Sequence, residues 1–344
     1  MKKYLFSIVG LFCFCGLLCA QECPPDVTAT TAVVFKRHSN ILPGCFSVAA
    51  GKQVRFTKGN LQYNAAYKSW RFAEHQWTVI GNAAGNNTAA GSRATQDAWI
   101  DLFGWGTSGY DGTNGDPSAV NFQPYASTSA RTGYATNPTG YGPSTDLITN
   151  SQSWSYRDET KNYDWGVYNF TTGEEAGVRT FTHSEWQYII NTRTNAHKLR
   201  GMATLFGRCG AILLPDDWSW ATPAVAKAAA AAGFEFRSRS TVGSVVRYTN
   251  NIIEDTDVGH ALWTAMEEAG AVFLPAAGYR ANGTAVTQVN EYILYWTSTT
   301  YTTLADQSHR VRFWGPDSDN DFAVGSYDPR YEGDAVRLVK DVTP

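Results

Sequence analysis

Arg310, Arg312 and Trp314 stand at every second position of a run near the C-terminus, with Val311 and Phe313 between them. In a strand, that spacing puts the two arginines and the indole on one face and the apolar pair on the core side. Guanidinium groups beside an indole combine cation–π attraction, bidentate hydrogen bonding and a flat stacking surface, which suits recognition of a protein or a sugar. Tyr301, Tyr327, Arg330, Tyr331 and Asp334 extend the same patch. An ordinary polar sheet face has a similar composition. The density of Tyr, Trp and Arg, the palette of binding loops, favours a ligand-binding face.

Three carboxylates, Asp317, Asp319 and Asp321, alternate just beyond this run. Oxygen ligands at that spacing can hold calcium in a tight loop. Phe322, however, occupies the place where the helix–loop–helix calcium motif needs glycine, and Asp328 stands where a bidentate Glu is usual. A solvated acidic loop is therefore the stronger reading, and no cofactor is expected. The remaining chemistry is sparse. Asp216-Asp217 and Glu267-Glu268 are sequence neighbours whose side chains should point apart. His183 sits inside a helix-capping sequence. Gly104-Trp-Gly-Thr-Ser-Gly lacks the Lys-Ser/Thr ending of a phosphate loop. No catalytic constellation emerges, and the chain reads as a non-enzyme.

What must position the C-terminal patch is a frame on either side of it. Gly278-Tyr-Arg and Tyr295-Trp-Thr-Ser-Thr precede it, and Ala335-Val-Arg-Leu-Val-Lys-Asp-Val closes it, so residues 295–340 form a display region between apolar segments. Upstream, Phe46-Ser-Val, Val54-Arg-Phe, Leu61-Gln-Tyr and Trp70-Arg-Phe alternate with period two between turn residues, predicting a β-meander over residues 45–81. From Asn82 to Asn162 the pattern dissolves into Gly, Asn, Thr and Ser with isolated aromatics that should pin it to the body. Helices are few. Thr182-His-Ser-Glu185 has capping-box spacing ahead of Trp186, Ile189 and Ile190. Thr222-Pro223 opens a helix that Gly233 stops, and a third candidate runs from Val258 to Ala269. Gly210-Ala-Ile-Leu-Leu-Pro and Gly270-Ala-Val-Phe-Leu-Pro read as two strands buried on both faces in equivalent environments. Few short helices among many short strands make an α+β chain.

The N-terminus carries an address: Lys2 and Lys3, an apolar run from Tyr4 to Leu18, and Ala20 before Gln21. That order is a secretory signal over residues 1–20. Residues 21–44 are a polar tether, and residues 45–344 one large domain, so the mature chain should be exported, to the cell surface, periplasm or extracellular space, with no transmembrane span. Cys23 and Cys45 could close a loop of roughly twenty residues, contributing about 3 kcal/mol. A Cys45–Cys209 pairing is the alternative. The formal net charge of −3 and the absence of a basic stripe argue against nucleic acid as a partner.

The order Asp164-Trp-Gly-Val-Tyr-Asn, Thr180-Phe-Thr-His-Ser-Glu-Trp, Leu214-Pro-Asp-Asp-Trp, Leu274-Pro-Ala-Ala-Gly-Tyr-Arg, Tyr295-Trp-Thr-Ser-Thr and Val336-Arg-Leu-Val-Lys-Asp resembles the Fibrobacter succinogenes major paralogous domain family. It is also similar to related secreted proteins of gut Bacteroidales. The resemblance spans roughly residues 45–342. It implies a C-type-lectin-like fold of short strands, two or three helices and long ordered loops. Within that wider fold some members are variable proteins diversified near the C-terminus by a reverse-transcriptase system. The chain departs from the commonest pattern at Asp306-Gln-Ser-His-Arg and at Pro316-Asp-Ser-Asp-Asn-Asp. The expectation is an adhesin or receptor-like protein that binds a protein or glycan at a cell surface. A structural or fimbrial-tip component is the first alternative, and a glycan-active enzyme on the same scaffold the second.

Overall fold

Alternating segments in the first third of the chain form hairpins, but the hairpins do not continue one another. The computed structural model describes residues 39–64, 67, 69–82, 86, 98–105, 164–242, 247–281, 285–301, 307–313, 322–329 and 332–342. Phe46–Ala49 (β1) pairs antiparallel with Lys52–Phe56 (β2), with Phe46 opposite Val54. Leu61–Asn64 (β3) pairs with Ser69–Phe72 (β4) and, on its other edge, with Trp99–Ile100 (β5). The expected single meander is thus two hairpins in two sheets. The reason lies at the far end of the chain. Leu338–Asp341 (β16) takes the free edge of β2 and pairs on its other side with Val178–Thr180 (β6), giving the order β1-β2-β16-β6. The stretch Val336 to Val339, Arg337 included, is buried, so its backbone needs partners, which β2 and β6 supply from Leu338 onward and Leu61 supplies at Val336. The ordered body also starts earlier than the predicted tether allows. Ile41 bridges to Thr57, and Leu42, only 4% exposed, donates its N–H to the Phe56 carbonyl.

The two Gly-Ala…Pro runs become partners. Arg200–Leu205 (β7), Arg208–Leu213 (β8), Ile252–Ile253 (β9) and Val272–Pro275 (β10) form a sheet in the order β10-β8-β7-β9. β8 and β10 run antiparallel with Phe273 opposite Ile212. Ala211, Leu213, Val272 and Leu274 enter one apolar core, while Ile212, Leu214 and Phe273 enter a second on the other face. Burial on both faces explains why these runs are continuously apolar. Their glycines are not equivalent. A Cβ on Gly210 would meet the Phe273 ring at 2.3 Å, whereas Gly270 has φ of +95° and abuts the Gly44 backbone.

The helices form where the caps predict. His183–Gln187 (α2) begins with Thr182 accepting from the Glu185 N–H while Glu185 reaches back to the Thr182 N–H. It continues as a π-turn over Tyr188–Thr192, which buries Ile189 and Ile190. Pro223–Ala232 (α3) stops at Gly233, whose φ of 59° is left-handed. Asp257–Glu268 (α5) is capped by Thr256. Two short helices carry no strong signal in the sequence: Trp165–Asn169 (α1), capped by the buried Asp164, and Arg239–Val242 (α4). Among the described residues no helix is long and apolar enough to cross a membrane.

The C-terminal region contains a small hairpin, Tyr279–Ala281 (β11) with Ala285–Thr287 (β12). The sheet that carries the predicted patch follows: Ile293–Thr300 (β13), Gln307–Phe313 (β14) and Ala323–Pro329 (β15), in that order. Among the described strand pairs only β7–β9 is parallel, so the architecture is α+β with antiparallel sheets and few short helices. The aromatics of the irregular stretch pin its start to this sheet. Trp105, 1% exposed, donates Nε1–H to the Thr297 carbonyl, and Trp296 donates to the carbonyl of Phe103.

Candidate functional site

The parity of β14 follows the sequence. Val311 and Phe313 are fully buried and pack in the main core with Trp186, Tyr295 and Phe322. Arg310 and Arg312 lie on the other face. That face is not open. Glu332 to Ala335 fold back onto β13 through the bridge Tyr295↔Ala335, and the bridges Arg280↔Gly333 and Phe103↔Asp334 hold the segment to β11 and to the stretch after β5. Arg310 is consequently 6% exposed and Asp334 0%. Their assignment as surface contacts is corrected accordingly, because the returning segment supplies a layer that local periodicity could not announce.

Beneath that layer Arg310 Nη1 lies 2.5 Å from Asp328 Oδ2 and 3.3 Å from Asp334 Oδ2. One guanidinium thus serves two carboxylates. Burial pulls the arginine down, but Asp334 and Asp328 outweigh it and hold it charged. Burial pushes Asp334 up to about 6 despite the neighbouring Arg310. Asp328 is also raised, by burial. The cluster ties β14 to β15 and to the returning segment, and so braces the sheet on the side opposite Val311 and Phe313. Arg312 is half-buried, its guanidinium 5.8 Å from the Tyr292 ring centre.

A column of rings stands on the opposite face of β14, since His309 has the parity of Val311 and Phe313 and not of Arg310; Tyr301 and Tyr327 therefore do not extend the Arg310 patch. His183 of α2 stacks on His309 of β14 at 4.0 Å between ring centres and 16° between planes. Tyr301 meets His309 edge-on at 5.2 Å, and Tyr327 stacks on Tyr301 at 4.0 Å. β-sheet register makes this possible, since His309 lies directly opposite Tyr327. The inner end is fixed. The His183 N–H donates to Thr299 Oγ1, and its Nε2 lies 2.6 Å from the Val324 carbonyl, so that nitrogen carries the proton. Burial lowers the pKa of His183, and burial with the His183 charge lowers His309 to about 4, so both rings are neutral near pH 7. The outer end is Tyr327, 44% exposed. Such a column offers flat apolar area and a phenol at low entropic cost.

His183 is therefore a part-buried packing residue and not a surface position of its helix. The two predicted carboxylate pairs do point apart. Asp216 accepts from the Ser47 N–H and Oγ, from Gln53 Nε2 and from Arg193 Nη1, whereas Asp217 is exposed. Burial raises Asp216, but Ser47, Gln53 and Arg193 prevail and hold it below the usual carboxylate range. Glu267 accepts from Gln76 and faces Lys58, and Glu268 is exposed. Cys45 and Cys209 are both free thiols. Trp314, Asp317, Asp319, Asp321, Arg330, Tyr331 and Cys23 lie outside the described residues. Among the described residues no three His, Cys, Asp or Glu side chains gather as a metal site.

Comparison of the chain with family models, curated proteins and solved structures found no match in any of the three. The functional reading therefore rests on the site itself.

Proposed function

We propose that the chain is an exported, non-enzymatic ligand-binding protein that presents an aromatic and charged face from its C-terminal sheet, on a C-type-lectin-like framework. The ligand is a protein or glycan at a cell surface. The observation that carries this reading is the ring column, anchored at His183 and ending in the 44% exposed Tyr327, on a sheet that the buried Arg310 cluster braces from its other face. A core needs no exposed tyrosine stack, and rigid aromatic anchors of this kind dominate binding energetics elsewhere.

The test is a double substitution, Tyr301→Ala with Tyr327→Ala, assayed on an array of host and microbial glycans and on immobilised mucin. Binding should be lost while stability changes by no more than about 0.5 kcal/mol per site, as expected for surface positions. Unchanged binding by the double variant would remove the face from the protein's function. Assembly of the purified chain into a polymer, disrupted by changes across residues 300–334, would favour the structural alternative. Diversification by a reverse-transcriptase system is tested in the gene: a near-copy of codons 295–340 differing at adenines, beside a reverse transcriptase, supports it.

A further inference from the structure

A cleft of about 400 Å³ lies at the turn before β7 and the aromatic segment after β8, and it shares no residue with the C-terminal face. Its walls are Trp218, Trp220 and Phe236. Trp220 lies 5.5 Å from Phe236 at 31° between planes and 5.1 Å from Trp218 at 77°. The three rings are only part-buried, although they flank the buried core under α3. The volume is at the lower end of the range for small-molecule sites, on the order of 300–1,000 Å³.

The rim is polar in a particular way. Asn195 holds a left-handed backbone, φ 58° and ψ 22°, at the head of the turn Ala196–Lys198, and its carboxamide does not cap that turn. Ser240 and Thr241 add hydroxyls, with Ser238 Oγ fixing Thr241 Oγ1 at 3.0 Å. Lys198 is exposed at the rim and has no ion-pair partner among the described residues. Among the described residues no carboxylate lines the cleft.

We infer that this cleft binds a saccharide unit bearing a carboxylate or sulfate. The ring walls match the C–H face of a sugar, the carboxamide and hydroxyls match its hydroxyl groups, and the uncompensated ammonium selects an anionic substituent. A cationic ligand, the other common guest of aromatic cages, is disfavoured by the same ammonium.

The experiment titrates the full chain with trigalacturonate, with a chondroitin sulfate tetrasaccharide, with neutral β1,4-galactotriose and with indole-3-acetate, following tryptophan fluorescence. At least one acidic saccharide should saturate, the neutral one should bind much more weakly, and added salt should weaken the acidic one. Trp220→Ala should abolish the response. Ser240→Trp, at an exposed position that fills the cleft, should abolish it as well and guards against a folding defect in the first variant. Lys198→Gln should weaken the acidic saccharide about fivefold and leave the neutral one unchanged. The Tyr301→Ala, Tyr327→Ala variant should bind as the parent does, which separates this cleft from the proposed C-terminal face. No saturation by either acidic saccharide, equal affinity for the neutral one, saturation by indole-3-acetate alone, or indifference to Lys198→Gln would each overturn the assignment.

Discussion

The sheet β10-β8-β7-β9 and the sheet β13-β14-β15 are built by opposite means. In the first, both faces of β8 and β10 are apolar and a core lies on each side, in one of which Phe273 packs against Trp263 at 6.0 Å. In the second, only one face of β14 is apolar. That face runs out into a column of neutral histidines and tyrosines, and the other buries a guanidinium between two carboxylates. Apolar burial is favourable in any arrangement that excludes water. A buried ion pair adds little net stability, because desolvation offsets the attraction, but it demands particular geometry. The apolar sheet therefore carries the stability, and the ionic cluster fixes how β14, β15 and the returning segment sit against one another.

The largest way to break this contrast is in the apolar sheet. Phe273→Ala should cost about 3–5 kcal/mol in denaturant unfolding, from lost burial and the cavity left between β8, β10 and α5. Ligand binding by the fraction still folded should be unchanged. A loss below about 1 kcal/mol would mean that the sheet is not the stabilising core.

The ionic sheet should respond differently. Arg310→Met leaves Asp334 fully buried and Asp328 part-buried without their cation, and should cost about 2–4 kcal/mol at pH 7. The deficit should shrink toward pH 5. A carboxylate whose folded pKa is raised loses stability as pH rises through that value and regains it below, and Asp334 already stands at about 6 with Arg310 in place. Adding Asp334→Leu to Arg310→Met should restore part of the loss, since the uncompensated charge is gone. Strict additivity of the two changes would contradict the cluster.

Much of the first sheet was legible in the sequence and little of the second. Continuous apolar runs ended by proline, the Thr182–Glu185 capping box and the Gly233 stop are local signals, and local hydrogen bonds and burial realise them. The alternation at Arg310 to Phe313 gave the correct parity of β14. What covers the Arg310 face is set by Glu332 to Ala335, and no local pattern encodes that return. The same holds for β16, which enters between β2 and β6 and so splits the expected meander. The two Gly-Ala…Pro runs look alike because both strands are buried, yet one glycine makes room for a ring and the other adopts a positive φ. The stacking of His183 on His309, and the cleft around Trp220, join residues from separate elements. Their composition was visible, but their convergence was not.

The smallest expected effect bears on the column itself. His309 sits between His183, Tyr301 and Tyr327, and its Nδ1 has no hydrogen-bond partner. Its pKa is lowered from 6.5 to about 4, by burial first and by His183 second. A histidine lowered in the folded state contributes stability above about pH 6.5 that is lost as pH falls toward 4, because the unfolded chain takes up the proton first. Taken in full the shift would amount to about 3 kcal/mol, but the ring is half exposed and solvent screening reduces this to the order of 1 kcal/mol. Asp101, Asp164 and Asp334, each raised to about 6 by burial, act in the opposite direction over the same interval. The parent's own pH curve therefore mixes the two contributions, and the informative quantity is the difference between parent and variant. His309→Phe keeps the stack, gives up no bond at Nδ1 and cannot be protonated. Its urea-unfolding free energy relative to the parent should improve by about 1 kcal/mol on going from pH 7 to pH 5. An offset that stays the same at both pH values would show that the ring titrates as it does in water, and the column would then be an open surface instead of an anchored one.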